Sequence, residues 1–156
     1  MLNDEMDDFS VKPGSANVFG ALGEKANEIA PKKTPLSSMS PTLILKNSQP
    51  IMAVGAPGGT RIISCVAQTI LNYLEYRLPL YESVAAPRIH HQWQPDILAI
   101  DLPGPGASVI EELRKYGYTV KLAEDAVPCR VEAVANENGI LRGAADPRDI
   151  GISLAE

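Results

Sequence analysis

The amino-acid sequence predicts an α+β fold in which strands in hairpin-like succession are layered against two amphipathic helices. Three observations support this prediction. Short β-rich runs recur between turn residues, two windows show the apolar period of a helix, and no internal repeat is present. With 156 residues, of which 45% are hydrophobic and 21% charged, the chain is expected to form one domain with its own core.

The first half of the chain is predicted to place a hairpin after a long, shaped loop. Residues 1–40 show little periodicity, although apolar residues recur among their prolines and glycines, as in an ordered functional loop. Residues Thr42–Lys46 and 51–54 are predicted strands joined by the turn sequence Asn-Ser-Gln-Pro. A glycine-rich break follows. A helix capped by Thr60 is predicted next, ending before Pro79.

The second half is predicted to add one long helix and four strands. The helix covers residues 107–116, has an apolar stripe, and ends at Gly117 as C-cap. Residues 136–139 form a turn that joins the last two strands into a closing hairpin. The hairpin strands are apolar on both faces, which predicts cover from above and below. The remaining predicted elements are a helical turn at 81–86 and strands at 97–101, 118–122, 130–135 and 140–143.

Charge and composition exclude several classes of function. The net charge is −5, and the 14 lysines and arginines form no run or stripe, so nucleic-acid binding is not expected. No apolar stretch is long enough to span a membrane, and the acidic N-terminal residues do not resemble a signal peptide. Cys65 and Cys129 match no metal or redox spacing. Cys65 lies on the apolar face of the first helix, where a packed thiol is predicted.

Gly58 and Gly59 open the first predicted helix and allow two interpretations. One is a tight strand-to-helix turn. The other is an oxyanion hole, in which the two backbone N–H groups donate to a developing negative charge. The spacings of a P-loop and of a dinucleotide-binding fingerprint are both absent, so no nucleotide cofactor is predicted.

Two polar pairs accompany these glycines. Ser37 and Ser38 lie between prolines, where they either form ordinary turn hydrogen bonds or bind a carboxylate. Glu5 and Asp8 either belong to a solvated acidic segment or converge on a substrate ammonium, which would select for a free amino group. Together with the glycines, the two pairs indicate acyl-transfer chemistry on an amino-acid-like substrate, although no nucleophile accompanies them.

The histidines do not predict a metal site. His90 and His91 are adjacent on an extended segment, so their side chains point to opposite sides and chelate poorly together. Packing and loop hydrogen bonds are predicted for them instead. Asp146 and Arg148 are predicted to form a structural ion pair or turn, with the alternative that Arg148 faces a site. No metal and no other cofactor are therefore expected.

Five segments, taken in order, resemble a known family. They are Asn3-x-Glu-Met-Asp-Asp-Phe-Ser, Pro35-Leu-Ser-Ser-Met-Ser-Pro-Thr, Gly55-x-Pro-Gly-Gly-x-Arg, Ala86-Pro-Arg-x-His-His-Gln-Trp and Gly143-Ala-x-Asp-Pro-Arg. This pattern resembles the γ-glutamyltranspeptidases, also called glutathione hydrolases, over essentially the whole chain. The match corresponds to most of the small, C-terminal subunit of that family.

The resemblance implies an N-terminal-nucleophile hydrolase with a four-layer αββα sandwich, made when one precursor cleaves itself into two interlocked subunits. In the family, the new N-terminal threonine of the small subunit attacks the γ-glutamyl carbonyl, with its own α-amino group as base. Water or an acceptor amino acid or peptide then takes the acyl group. By position, the resemblance assigns the oxyanion hole to Gly58 and Gly59, the glutamyl α-carboxylate to Ser37 and Ser38, and the α-amino group to Glu5 and Asp8.

The resemblance also implies partners and a location. The partner would be the large subunit of the same precursor, and the substrates would be glutathione or other γ-glutamyl compounds. Members of the family are periplasmic, secreted or at the cell surface, although this chain by itself indicates no compartment.

Two departures from the family pattern qualify this interpretation. The family's catalytic threonine, a second threonine and a substrate-binding asparagine lie a few dozen residues before the acidic motif, whereas four residues precede Glu5 here. In addition, Asp4 stands where asparagine is usual. Residues 1–156 are therefore predicted to be a single-domain fragment that lacks its nucleophile segment and is inactive alone. Poor stability is also predicted, because the absent strands and subunit would leave apolar sheet surface bare.

Two alternatives stay open. The first is a fragment of a related acylase that acts on cephalosporin side chains or on poly-γ-glutamate. The second is a non-catalytic remnant or binding module. The acidic pair and the serine pair favour a γ-glutamyl substrate, because such residues recognise a free amino-acid head.

Overall fold

The structure, a computed structural model, describes residues 5–154. Within these residues the chain forms three α-helices and seven strands, so the predicted α+β class is confirmed. Asn3 and Asp4, which belong to the first of the five segments, lie outside the described residues. The helices are α1 (Ile62–Leu74), α2 (Leu80–Ala85) and α3 (Ala107–Lys115). The strands are β1 (Thr42–Lys46), β2 (Gln49–Gly55), β3 (Ile89–His90), β4 (Leu98–Asp101), β5 (Val120–Ala123), β6 (Glu132–Glu137) and β7 (Ile140–Ala144).

The larger sheet is antiparallel, with strand order β1-β2-β6-β7, and one of its faces carries the main core. Opposite residues of an antiparallel pair share a face, so Met52 and Val54 point to the same side as their partners Ala135 and Ala133. Helices α1 and α2 pack against these strands. Other buried members of this core are Ile62, Cys65, Val66, Leu80, Val84, Val127, Cys129, Val131 and Ala144.

The opposite face of the larger sheet is apolar and exposed. Leu43, Val134 and Leu141 are 73%, 46% and 68% exposed. Leu43 and Val134 share this face because both lie opposite Ala53 in the register. Within residues 5–154 the strands are therefore covered on one face, and the prediction of cover on both faces is wrong for this part of the chain. Helices α1 and α2 bury the side chains on one face, and no layer of the described residues buries those on the other face.

The smaller sheet has the order β3-β4-β5 and contains a parallel pair, which the predicted succession of antiparallel strands does not include. β4 and β5 run parallel because α3 crosses between them and returns the chain to the same end of the sheet. Ile110 of α3 packs with Leu98 and Ile100 in a second, smaller core. The C-cap of α3 is Tyr116 and not Gly117, so the helix ends one residue earlier than predicted, and Gly117 follows the cap at φ +97°.

The first hairpin is tighter than its sequence predicts. Its turn is formed by Asn47 and Ser48 alone, both with positive φ, and β2 begins at Gln49. Pro50 therefore lies inside β2, where a change of register between Ile44 and Leu45 accommodates it. The sequence places Pro50 in the turn because proline is usually excluded from strands, but an irregular pair tolerates it.

A buried ion pair joins the two sheets' connecting segments. Arg88 and Asp146 are 2% and 0% exposed, and their side chains lie 2.7 Å apart. Arg148 adds bonds to Asp146 at 3.0 Å and to Asp101 at 3.4 Å, so the predicted structural ion pair of Asp146 and Arg148 is present. Burial alone would raise the pKa of Asp146, but hydrogen bonds from the Val131 N–H and from Arg88 lower that pKa below its ordinary value.

Candidate active site

The Gly58-Gly59 turn lies between β2 and α1, and at both positions a side chain would clash. A Cβ atom on Gly58 would lie 3.0 Å from the Cβ and Sγ atoms of Cys129. A Cβ atom on Gly59, where φ is +57°, would overlap the ring of Phe19. Glycine is thus required here for close packing on two sides as well as for the backbone conformation.

The N–H groups of this turn are aimed by the hydrogen bonds of its carbonyl groups. The Pro57 carbonyl accepts from the Arg130 N–H at 3.1 Å, and the Gly58 carbonyl accepts from the Arg61 N–H at 3.2 Å. Because the N–H and C=O of a trans peptide point in opposite directions, the N–H of Gly58 points away from Arg130 and that of Gly59 away from α1. Both donors therefore point away from the backbone groups that bind the carbonyl oxygens of the turn.

The prediction that Thr60 caps α1 is wrong. The Thr60 hydroxyl donates to Gln92 Oε1 at 2.6 Å, which takes it away from the backbone N–H groups of the helix. A turn of 3-10 helix over Gly59–Arg61 precedes α1. Arg61, the residue before α1, makes no side-chain hydrogen bond that caps the helix. The 3-10 turn displaces the first α-helical residue beyond reach of Thr60.

The two predicted serines lie in different surroundings. Ser38 Oγ donates to the Gly59 carbonyl at 2.7 Å, which brings the serine segment onto the glycine turn. Ser37 is exposed, and its Oγ accepts from the Met39 N–H at 3.2 Å. Ser37 thus makes the turn hydrogen bond of the simpler interpretation, while Ser38 connects the two segments.

Asn27 ties the acidic segment to the serine segment. Glu5 and Asp8 lie at the two ends of one turn of 3-10 helix. Asn27 Nδ2 donates to the Asp8 carbonyl at 2.7 Å, and Asn27 Oδ1 accepts from the Leu36 N–H at 3.1 Å. One buried amide therefore sets the separation between the two groups of predicted site residues.

A cavity of about 440 Å³ lies between this loop and the start of α1. Asp8, Ser37, Ser38 and Thr60 line it together with Phe19. Among the described residues, Glu5 and the two glycines are not part of the lining. Gly59 is linked to the cavity wall by the hydrogen bond from Ser38. The structure thus brings together the serine pair, one of the two carboxylates and the edge of the glycine turn.

Comparison with known proteins identifies the family of this site. The model of the γ-glutamyltranspeptidase family matches residues 1–155. The chain belongs to the γ-glutamyltranspeptidase family. It is 43% identical over 150 residues to the glutathione hydrolase proenzyme of Escherichia coli strain K12, a match that covers 96% of this chain and 26% of that protein. The chain therefore spans about a quarter of the length of the curated relatives it matches.

Solved structures of the family share the fold. The γ-glutamyltranspeptidase from Pseudomonas nitroreducens complexed with L-DON superposes with a TM-score of 0.88 and 40% identity, over 100% of this chain and 81% of that chain. A cephalosporin acylase from Bacillus halodurans has a TM-score of 0.70 and 22% identity, over 78% of this chain and 23% of that chain. At that identity the acylase shows a common fold alone.

The two histidines point to opposite sides, as predicted. His90 is buried and hydrogen-bonds Ser64 and Gln92, each at 2.8 Å. His91 is exposed and pairs with Asp96 at 2.8 Å. Burial lowers the pKa of His90, and the charge of Arg61 lowers it further, although the bond to Gln92 acts in the other direction. Among residues 5–154, no three histidine, cysteine or acidic side chains are grouped as metal ligands.

Cys65 and Cys129 are both buried free thiols, as the packing interpretation of Cys65 predicts. The two cysteines are far apart in the sequence but are neighbours in the fold. The hydrogen bond between them, together with burial, raises the pKa of Cys65, and the same bond lowers the pKa of Cys129. Of the two, Cys129 fills the space behind Gly58.

Several residues that shape the site carry no recognisable motif. Asn27 and Phe19 are isolated residues in irregular segments, so neither period nor spacing distinguishes them, whereas Gln92 belongs to the fourth of the five segments but has no role assigned by it. The only signal available from sequence is the recurrence of apolar residues in the first forty positions, which indicates an ordered loop.

Among the described residues, no helix is long and apolar enough to cross a bilayer.

Proposed function

We propose that this chain is the substrate-binding and oxyanion part of a γ-glutamyltransferase that also hydrolyses glutathione. One observation carries the proposal. In a chain of this family, Asp8, Ser37 and Ser38 line one cavity of about 440 Å³, and Ser38 hydrogen-bonds the Gly59 carbonyl of the glycine turn.

In this proposal Gly58 and Gly59 stabilise the tetrahedral intermediate. Attack on the γ-carbonyl carbon moves an electron pair to its oxygen, and the two N–H groups donate to that oxyanion. The hydrogen bonds of Pro57 and Gly58 to Arg130 and Arg61 hold these donors in place before the reaction begins. Preorganised donors cost no reorganisation when charge develops.

The head of the substrate is assigned to the two polar pairs. Ser37 and Ser38 bind the α-carboxylate through hydroxyl donors, and Glu5 and Asp8 bind the α-ammonium through charge-assisted hydrogen bonds. An analogue without the ammonium cannot form these charge-assisted hydrogen bonds, which disfavours it. These assignments make the site selective for a free amino-acid head.

The nucleophile is assigned to a part of the protein outside these 156 residues. The family's chemistry uses an N-terminal threonine hydroxyl, whose proton passes to its own α-amino group and then to the leaving amine. Thr42 and the site serines are internal residues and offer no free α-amino base. Water or an acceptor amine then attacks the acyl-enzyme and releases the γ-glutamyl group.

The rest of the protein is proposed to cover the exposed face of the larger sheet. Leu43, Val134 and Leu141 form an apolar surface of the kind that an interlocked large subunit buries. The 156-residue polypeptide by itself is therefore expected to be inactive and poorly stable. Measurable turnover by the isolated polypeptide, or a cooperative melt with no partner present, would contradict this part of the proposal.

The test compares two substrates on the full-length protein that contains this chain. One is γ-glutamyl p-nitroanilide, and the other is glutaryl p-nitroanilide, which lacks the ammonium but keeps the carboxylate. We expect kcat/KM to favour the γ-glutamyl compound by at least about a hundredfold. The variant Gly59→Ala is expected to lower kcat by about a hundredfold, because the new methyl group displaces Phe19 and the donor beside it.

The alternatives predict different outcomes. Equal or better turnover of the glutaryl compound would support the acylase interpretation, whose basis is the common fold with cephalosporin acylase. No turnover of either compound by the full-length protein would support the non-catalytic interpretation. Calorimetry with glutamate then separates a binding module, which releases or takes up heat, from a remnant, which does not.

A further inference from the structure

A continuous set of hydrogen bonds joins α1 and β3 to the glycine turn. Ser64 Oγ lies 2.8 Å from His90 Nδ1, and His90 Nε2 lies 2.8 Å from Gln92 Oε1. The same Gln92 oxygen accepts from the Thr60 hydroxyl at 2.6 Å. This set of hydrogen bonds therefore ends at Thr60, the residue that directly follows Gly59.

The orientation of the Gln92 amide follows from its other partners. Gln92 Nε2 donates to the carbonyl oxygens of Gln94 at 2.9 Å and of Phe19 at 3.3 Å. Carbonyl oxygens only accept, so the nitrogen must lie on that side and Oε1 must face Thr60 and His90. Since Oε1 also only accepts, His90 Nε2 must carry a hydrogen.

This constraint selects one form of the buried histidine. Burial lowers the pKa of His90, and the nearby positive charge of Arg61 lowers it as well, against the opposing effect of the bond to Gln92. His90 is therefore neutral near pH 7, with its proton on Nε2 and the lone pair of Nδ1 directed at Ser64 Oγ. The single hydroxyl hydrogen of Ser64 has two acceptors within reach, His90 Nδ1 at 2.8 Å and the Arg61 carbonyl at 3.0 Å. The Gln92 oxygen is thus the group that defines which nitrogen of His90 carries the proton.

Gln92 holds the turn from both sides. Through Oε1 it binds the side chain of Thr60, and through Nε2 it binds the backbone of Phe19. The Phe19 ring in turn packs against Gly59, in the space that a Cβ atom would need. A movement of Gln92 would therefore shift both the residue after Gly59 and the ring that packs on it.

We propose that Gln92 and His90 are positioning residues for the Gly58-Gly59 turn. Gln92 fixes Thr60 and Phe19 around Gly59, and the Nε2–H of His90, backed by Ser64, fixes the Gln92 oxygen. Neither residue touches the substrate. This inference rests on the proposed function, because it concerns the geometry of the oxyanion donors assigned there.

The two adjacent histidines provide a matched pair of variants in the full-length protein. We expect His90→Gln to lower kcat for γ-glutamyl p-nitroanilide by about tenfold to a hundredfold, with KM within about twofold, because a displaced oxyanion donor weakens only the transition state. The control His91→Gln removes a histidine from the opposite side of the same strand segment and is expected to leave both constants unchanged.

Variants of Thr60 test the other end of the set. Thr60→Ser keeps the hydroxyl that donates to Gln92 and is expected to retain kcat within about threefold. Thr60→Val keeps the volume but removes the donor, and its kcat is expected to fall as in His90→Gln. Equal activity of the serine and valine variants would overturn the role of this hydrogen bond.

A spectroscopic readout makes the hydrogen-bond assignment independent of activity. Long-range ¹H–¹⁵N spectra should show His90 as the neutral form protonated at Nε2, and His90→Gln should shift the amide signals of Gly58 and Gly59. A proton on Nδ1 alone, or unmoved glycine signals, would overturn the inference. A fall in kcat shared equally by His90→Gln and His91→Gln, or a change confined to KM, would overturn it as well.

The two levels of hypothesis fail separately. If the wild-type protein does not cleave the γ-glutamyl substrate, the proposed function fails, and the spectra still report whether His90 positions the glycine turn. If the wild-type protein is active but His90→Gln matches His91→Gln, the positioning role fails and the proposed function stands.

Discussion

The two sides of the candidate active site are held in different ways. On one side, the glycine turn is fastened to the core of the domain. Cys129 packs against Gly58, and Arg88 donates to the Cys129 carbonyl at 2.8 Å while also pairing with Asp146. The turn therefore moves only if the core moves.

On the other side, the residues assigned to the substrate head lie on a loop that has almost no regular structure. Between Glu5 and Pro41 the described chain contains two short turns of 3-10 helix and two isolated bridges. The loop is held by side chains that bind backbone groups, chiefly Asn17 and Asn27. Changes on this side are expected to alter substrate binding more than the stability of the domain.

The largest effect is expected from breaking the buried ion pair on the scaffold side. Asp146→Asn removes a charge that accepts from Arg88 at 2.7 Å and from the Val131 N–H at 2.9 Å, and it leaves the Arg88 guanidinium buried without a counter-charge. Such changes destabilise proteins by about 3–5 kcal/mol. Denaturant titration of the full-length protein measures the loss.

A surface ion pair supplies the control for Asp146. Asp125 binds Arg130 at 2.7 Å, and its side chain is 38% exposed, so Asp125→Asn is expected to cost less than about 1 kcal/mol. Equal losses for the two variants would mean that burial does not decide the contribution. The stabilisation by Asp146 is present above its ordinary pKa of 3.8 and is lost as the pH falls through its lower folded value, because only the ionised form is paired.

A smaller effect, of a different kind, is expected on the loop side. Asn27→Ala removes the bonds to the Asp8 carbonyl and the Leu36 N–H, and unsatisfied groups of this sort cost about 1–3 kcal/mol. Because the loss is local, we expect KM for γ-glutamyl p-nitroanilide to rise by about tenfold, with kcat changed by less than about threefold. A variant with an unchanged KM and a lowered kcat would contradict this expectation. It would show that the loop and the glycine turn behave as one structural unit.

The same contrast explains what could be predicted from the sequence. The stripe of α1 and the first strand of the hairpin follow from periods that neighbouring residues share, and β1 has its predicted bounds. β3 is only two residues long and is defined by pairing with β4, so no local pattern indicates it. The bare apolar face of the larger sheet is predicted from the family resemblance and not from local pattern, because strands that are apolar on both sides do not show which layers cover them.

The residue types of the candidate site could be predicted from the sequence, but their spatial arrangement could not. The glycine pair indicates a site because residues without a Cβ let the backbone N–H groups be approached closely, and the serine pair supplies two small hydroxyls. The bond from Ser38 to Gly59 spans 21 positions of sequence, and that from Gln92 to Phe19 spans 73. Such contacts depend on how the loop folds back, which is decided by isolated residues such as Asn27.

The smallest effect concerns His90, which belongs to the scaffold but contacts the turn. Its folded pKa lies below the ordinary 6.5, so between these values the unfolded chain binds more protons than the native protein. Stability must therefore fall as the pH is lowered through that window, by up to about 1.4 kcal/mol for each unit of pKa difference. Denaturant titrations at about pH 7.5 and about pH 5 should show this loss in the wild type and in His91→Gln. The loss should be smaller in His90→Gln, which has no proton to exclude, and an undiminished loss there would assign the pH dependence to another group.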